Sequence, residues 1–184
     1  MTFFANFPSI NVDLTIKADT SPIKVTLQDL TTTVGMTITQ QDLETMCFRY
    51  TIKDGELPQL LSKQFYNSPD YDWTILYINK IANINAEWPL KSVELLNYVT
   101  AKYGSANIYA TYGYLKLPEN VFMDQAFMNS RYSIDNTKYS DWQPVPVTNY
   151  DYEDSINEQK RFIYIIKPEN LTTFVSNFNA ALVS

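Results

Sequence analysis

Residues 50–81 read YTIKDGELPQLLSKQFYNSPDYDWTILYINKI, and the fold follows from how this stretch alternates and then changes period. From Cys47 to Lys53, Phe48, Tyr50 and Ile52 share one parity while Arg49, Thr51 and Lys53 share the other, the pattern of a half-buried strand. Asp54-Gly55 ends that strand as a turn. Pro58 suits the first turn of a helix, where its missing N–H costs little, and Leu57, Leu60, Leu61 and Phe65 fall at helical spacing. Asn67-Ser68-Pro69 interrupts this helix. A second helix is predicted from Asp70 to Asn79, with Trp73, Leu76 and Tyr77 on its apolar side and Ile75 and Ile78 close by, so that it is buried nearly all round.

On the C-terminal side, a helix is predicted over Ser92–Tyr103, with Glu94 in its first turn, Lys102 in its last and Gly104 just beyond its end. Leu95, Leu96, Val99 and Tyr103 would face the core. Residues 107–117 suggest one or two strands broken near Gly113, and residues 129–147, rich in Ser, Asn, Asp, Tyr and Pro, read as a long loop. A polar stretch with Asn157, Glu158, Lys160 and Arg161 leads into a strand over 162–166. An amphipathic helix over 169–182 follows, with Leu171, Phe174, Val175, Phe178 and Leu182 as its stripe. On the N-terminal side, residues 1–25 lack either period and read as an extended arm, and Thr26 with Asp29 predicts a short helix before Leu30 and Val34. The expectation is an α+β fold with an arm at 1–46, a strand–helix–helix core with its following helix at 47–104, and a C-terminal region at 105–184.

Composition narrows the chemistry. The chain of 184 residues carries 14 Lys and Arg against 20 Asp and Glu, a net charge of −6, with no basic stripe to match a phosphate backbone. No nucleic-acid partner is therefore expected. The N-terminus has no basic n-region and no stretch approaches a membrane span, so a soluble, unexported chain is expected. Histidine is absent, which removes the commonest metal ligand and the base of Ser-His and Cys-His designs. Cys47 is the only cysteine and sits in an apolar segment, where a buried small hydrophobe is expected. The four glycines, at 35, 55, 104 and 113, form no phosphate loop. Glu153 with Asp154, and Asp54 with Glu56, resemble acid–base pairs only by adjacency, which does not place two carboxylates across a cleft. No catalytic residue, metal, cofactor or small-molecule substrate is expected.

What remains are contact surfaces. Fourteen tyrosines and ten phenylalanines exceed what a core of this size needs. Phe3, Phe4, Phe7 and Pro8 would lay the arm on a partner or on its own domain. Trp73 and Trp88 have apolar neighbours and belong to the core, whereas Trp142, in a polar loop with Tyr139, is the expected anchor for a partner. Lys160 and Arg161 either grip an anionic partner or pair locally with Glu153, Asp154 or Glu158.

Residues 50–81 resemble a LysM-type unit. Together with Trp88-Pro89-Leu90, Lys102-Tyr103-Gly104, the stretch NEQKRFIYIIKP from Asn157 to Pro168, and the Phe-rich start ending in Phe7-Pro8, they resemble the LysM-containing baseplate wedge subunit of T4-like contractile-tailed bacteriophages. The likeness covers about half of the chain and leaves 105–147 unmatched; Tyr66-Asn67 stands where the family tends to have Tyr-Gly, a change that left-handed backbone tolerates. The resemblance implies a LysM-like core and a structural virion protein, assembled in the host cytoplasm, that binds other wedge proteins near the baseplate centre and joins wedges into a sixfold ring. A LysM module for peptidoglycan or chitin is the alternative, and a hydrolase using carboxylates a third.

Overall fold

The computed structural model describes residues 7–14, 23–29, 36–117, 120–132 and 143–182. In chain order they form β1 (Ser9–Leu14), β2 (Ile23–Gln28), α1 (Gln40–Met46), β3 (Cys47–Thr51), α2 (Pro58–Tyr66), a 3-10 turn (Pro69–Tyr71), α3 (Asp72–Ile78), α4 (Ile84–Glu87) and α5 (Ser92–Tyr103). Then come β4 (Thr111–Leu117), β5 (Val121–Asp124), α6 (Gln125–Phe127), a π-type turn (Met128–Tyr132), β6 (Gln143–Thr148), α7 (Asn149–Gln159), β7 (Phe162–Ile166) and α8 (Pro168–Ala181). The fold is α+β. The described residues fall into two compact units, one drawn from Met1–Ile52, Glu56–Glu87 and Phe162–Ser184, the other from Lys53–Gly55 and Trp88–Arg161.

The first unit is built on the 50–81 stretch. β3 runs antiparallel to β7, in register from Cys47 opposite Ile166 to Thr51 opposite Phe162, although more than a hundred residues separate the two strands. α2 begins at Pro58 and stops at Asn67, whose φ of 58° is the left-handed backbone that breaks a helix. Its inner face is Pro58, Leu61 and Ser62; Leu57 and Leu60, expected on that face, are 44% and 55% exposed, so the helix is rotated from the apolar reading. Phe65 still meets the sheet, edge-on to Phe48 and Tyr50 at 5.2 and 5.4 Å. α3 and α8 close the core: Trp73 packs on Phe178 at 4.6 Å and Tyr77 edge-on to it at 5.1 Å, with Cys47, Ile78, Ile166, Phe174 and Leu182 filling the remainder. Each such side chain contributes roughly 1.5–3 kcal/mol through burial.

Residues 9–14 and 23–28 are not an arm followed by a helix. They form a hairpin of antiparallel strands, Ser9 opposite Gln28 and Val12 opposite Val25. Val25 and Leu27 alternate with Lys24, Thr26 and Gln28, and this period of two prevails over the capping pattern at Thr26–Asp29. Leu30 and Val34 lie outside the described residues.

In the second unit α5 lies against α7, beside the sheet β5-β4-β6. Residues 111–117 form one strand, with an irregularity between Thr111 and Gly113 rather than a break. Within the predicted 129–147 loop, Met128–Tyr132 is helical and Gln143–Thr148 is a strand. Pro144 and Pro146 oppose Lys116 and Tyr114, alternate positions whose missing N–H groups would face away from β4, so the two prolines are compatible with an edge strand. α7 also departs from the polar linker expected there. Thr148 and Asp151 make a capping box, and the inward face is Asn149, Glu153 and Asn157, a polar stripe at intervals of four that an apolar period cannot reveal.

Candidate functional site

Of the carboxylates that the sequence offers as candidate chemistry, Glu56, Asp54 and Glu153 each have a structural partner. Glu56 accepts the Tyr50 hydroxyl at 2.9 and 3.1 Å from its two oxygens; burial first, and that bond second, push the Tyr50 phenol up to about 12. Asp54 accepts the Ser92 N–H at 3.1 Å and faces Arg161 at 3.4 Å. Partial burial works against its charge, yet these donors hold its carboxyl below the usual range. Glu153 is buried, and its Oε1 accepts both the Lys102 ammonium and the Tyr103 hydroxyl at 2.7 Å. The Lys102 ammonium is held above the ordinary lysine value chiefly by Glu153. This is the arrangement nearest to an active centre, but one carboxylate oxygen filled by two donors is a clamp between α5 and α7. Among the described residues no group of His, Cys, Asp and Glu could hold a metal ion, and no helix is long and apolar enough to cross a membrane.

Cys47 is 4% exposed, and burial pushes its thiol up to about 11, away from the thiolate that reactivity requires.

Of the expected contact residues, Phe3, Phe4, Tyr139 and Trp142 lie outside the described residues. Phe7 is half-buried against the core of the first unit, and the Pro8 carbonyl accepts the Asp29 N–H at 2.7 Å, so these two residues are bound to their own unit. Arg161 is buried, with a side chain only 10% exposed, and its guanidinium pairs with Glu158 and Asp54. Its local pairing prevails over the exposed grip. Lys160 ends α7 as its C-cap. Trp73 and Trp88, at 6% and 5% exposure, are core residues.

The structure places exposed apolar surface elsewhere. Phe162 in the first unit is 71% exposed, and Val93 and Tyr109 in the second are 71% and 70% exposed. An apolar groove lined by Met36, Ile38, Leu76, Tyr77 and Ile81 runs along α3. Compared with protein-family models and with curated proteins, the chain matches none.

One of these surfaces, at Tyr109, is held by its neighbours. Its turn is tied to the start of α7 by three hydrogen bonds: Tyr150 N–H to Ile108 O at 3.0 Å, Asn149 N–H to Ala110 O at 3.0 Å, and Asn149 Nδ2 to Asn107 O at 2.8 Å. The Tyr109 ring lies 6.1 Å from that of Tyr150. Sequence reasoning missed it because 107–117 read as strand, where a tyrosine belongs to a sheet face. The only available signal was the small-residue run Gly104-Ser105-Ala106-Asn107 after α5, which permits a tight turn.

Proposed function

We propose that this chain is a non-catalytic assembly subunit of a phage contractile-tail baseplate wedge, built around a LysM-like strand–helix–helix–strand core. One observation carries the reading. Two of the stretches on which the resemblance rests, residues 50–81 and the Phe162–Pro168 part of 157–168, contribute paired elements to one unit: β3 and β7 form a two-stranded sheet there, and α2 and α3 lie between them in sequence, while 88–90 and 102–104 belong to the other unit. A likeness in two distant segments has more weight when they share one sheet than when they are unrelated pieces. The structural partners of Glu56, Asp54 and Glu153 favour a non-catalytic role. Exposed apolar residues supply surfaces for neighbouring wedge proteins near the baseplate centre, and the site of action is the virion tail, assembled in the host cytoplasm.

Quantitative mass spectrometry of purified tails from the source phage tests this reading. A fixed ratio to the other baseplate proteins, consistent with sixfold symmetry, is expected. Absence from the tails would sink the assignment. The same strand–helix–helix–strand order also suits a glycan-binding LysM module, so retention of the purified chain on peptidoglycan or chitin would move that reading to the front.

A further inference from the structure

Tyr109 exposes most of a large ring from a turn that three hydrogen bonds hold in place. A ring on a mobile tip would lose entropy on binding; here that loss has largely occurred during folding. Tyr150 extends the aromatic surface, and Asp154 lies four residues further along α7, on the same face of the helix. Asp154 is half-buried, and its carboxylate accepts no hydrogen bond among the described residues. Burial first, then the charges of Glu158 and Asp151, hold its carboxyl above the usual range, although Arg161 opposes them. Tyr150 is raised by burial and then by Asp154, Tyr109 and Asp151, which places these groups within one electrostatic neighbourhood.

We propose that Tyr109, Tyr150 and Asp154 form a seat for an arginine side chain of a partner protein, its guanidinium stacking on the exposed aromatic surface and bonding the Asp154 carboxylate. This deepens the assembly reading and rests on it for the class of partner. Charge decides the occupant: the chain carries −6 overall, Asp151 and Glu158 flank the seat, and an incoming cation would relieve a carboxylate held at a cost to the folded state. Arginine fits better than lysine because a planar guanidinium stacks on a tyrosine face while its N–H groups meet a carboxylate.

The test uses the full chain and the peptide acetyl-Gly-Gly-Arg-Gly-Gly-amide, with its citrulline counterpart as the neutral isostere, followed by NMR. The arginine peptide should give saturable shifts centred on Tyr109, Tyr150 and Asp154, with Kd on the order of 1–10 mM for so small a probe. The citrulline peptide should bind at least about tenfold more weakly. Asp154→Asn and Tyr109→Ala should each weaken the arginine peptide by about threefold or more. Because Asp154→Asn removes a strained charge, it should fold at least as well as the parent. Equal shifts from both peptides, or shifts elsewhere, would overturn the seat. So would self-association abolished by Asp154→Asn, which would make the occupant a second copy. The binding test does not involve virions: an arginine seat in a chain absent from tails would leave the seat standing and remove the baseplate reading, whereas the converse would remove only the seat.

Discussion

Asn79 and Tyr164, 85 positions apart, exchange two hydrogen bonds: the Asn79 Nδ2 donates to the Tyr164 carbonyl and the Tyr164 N–H donates to the Asn79 Oδ1, both at 2.8 Å. A side-chain amide presents the same donor and acceptor as a peptide group, so Asn79 pairs with the middle of β7, at Tyr164, in the place a further strand would take. The same Nδ2 also reaches the Ile75 carbonyl at 2.8 Å, which ties the end of α3 to the strand. Asn157 and Leu90 repeat the device in the second unit, at 2.7 and 3.0 Å.

Replacing Asn79 therefore removes one side chain and strands two half-buried backbone groups. Asn79→Ala should destabilise the chain by about 2–3 kcal/mol, and Asn79→Asp by a similar amount, because the carboxylate would turn an oxygen toward the Tyr164 carbonyl. Urea unfolding followed by circular dichroism reads this as a lower midpoint with an unchanged slope. A loss below about 0.5 kcal/mol would mean that water replaces the amide without penalty.

Alkaline pH should ionise several half-buried tyrosines together. Burial raises the phenols of Tyr66 and Tyr77, and burial with a bond to a carboxylate raises Tyr50 and Tyr103. A folded value above the unfolded one means that the protonated form is favoured by folding. The stability this represents is complete below the unfolded value near pH 10, and it is lost as pH rises through the folded values, about 12 for Tyr50. Tyr66 alone contributes up to about 1.4 kcal/mol per pH unit in that window. Absorbance at 295 nm should show a group of tyrosines that ionise late and in step with the loss of the circular dichroism signal. If all fourteen ionise near pH 10 while the fold persists, the half-buried environments described for these phenols are wrong.

Gly113 lies where β4 meets β5, opposite Asp124 on one side and Val147 on the other. A Cβ there would overlap the Phe122 ring and come within 2.8 Å of the Met123 carbonyl. The ring can swing but the carbonyl belongs to the paired strand. Gly113→Ala should cost about 1–3 kcal/mol. Adding Phe122→Ala should recover only part of it, because the backbone overlap remains. Thermal unfolding of the single and double variants measures this, and full recovery would assign the whole clash to the ring.

What could be read from residues alone divides along physical lines. α8 was legible because Leu171, Phe174, Phe178 and Leu182 form an apolar stripe and all four are buried. α7 was not, since its inward residues are Asn149, Glu153 and Asn157, and polar groups reveal burial only through partners such as Lys102 and Leu90 that lie 51 and 67 residues away. β7 was legible as a strand from FIYII, but its pairing with β3 is a long-range choice on which neither segment's period has any bearing. For the candidate site, composition pointed to aromatic surface but not to its place, because Tyr109 sits on a turn held by Asn149, a contact between residues 42 positions apart.

Arg161 separates a structural role from a contact role. Its guanidinium bridges Glu158 and Asp54, both about half exposed, so solvent screens much of the attraction. Its stem, by contrast, is buried with the rest of the residue. Arg161→Met, which keeps a long apolar chain, should therefore cost under about 1 kcal/mol, because both released carboxylates can turn to water. Arg161→Ala should cost about 1–3 kcal/mol through the packing it leaves unfilled. Both values come from urea unfolding at moderate salt. If Arg161→Met left stability unchanged yet prevented incorporation into tails, Arg161 would contact a partner after all, and its pairing with Glu158 and Asp54 would be the resting state of an exposed grip.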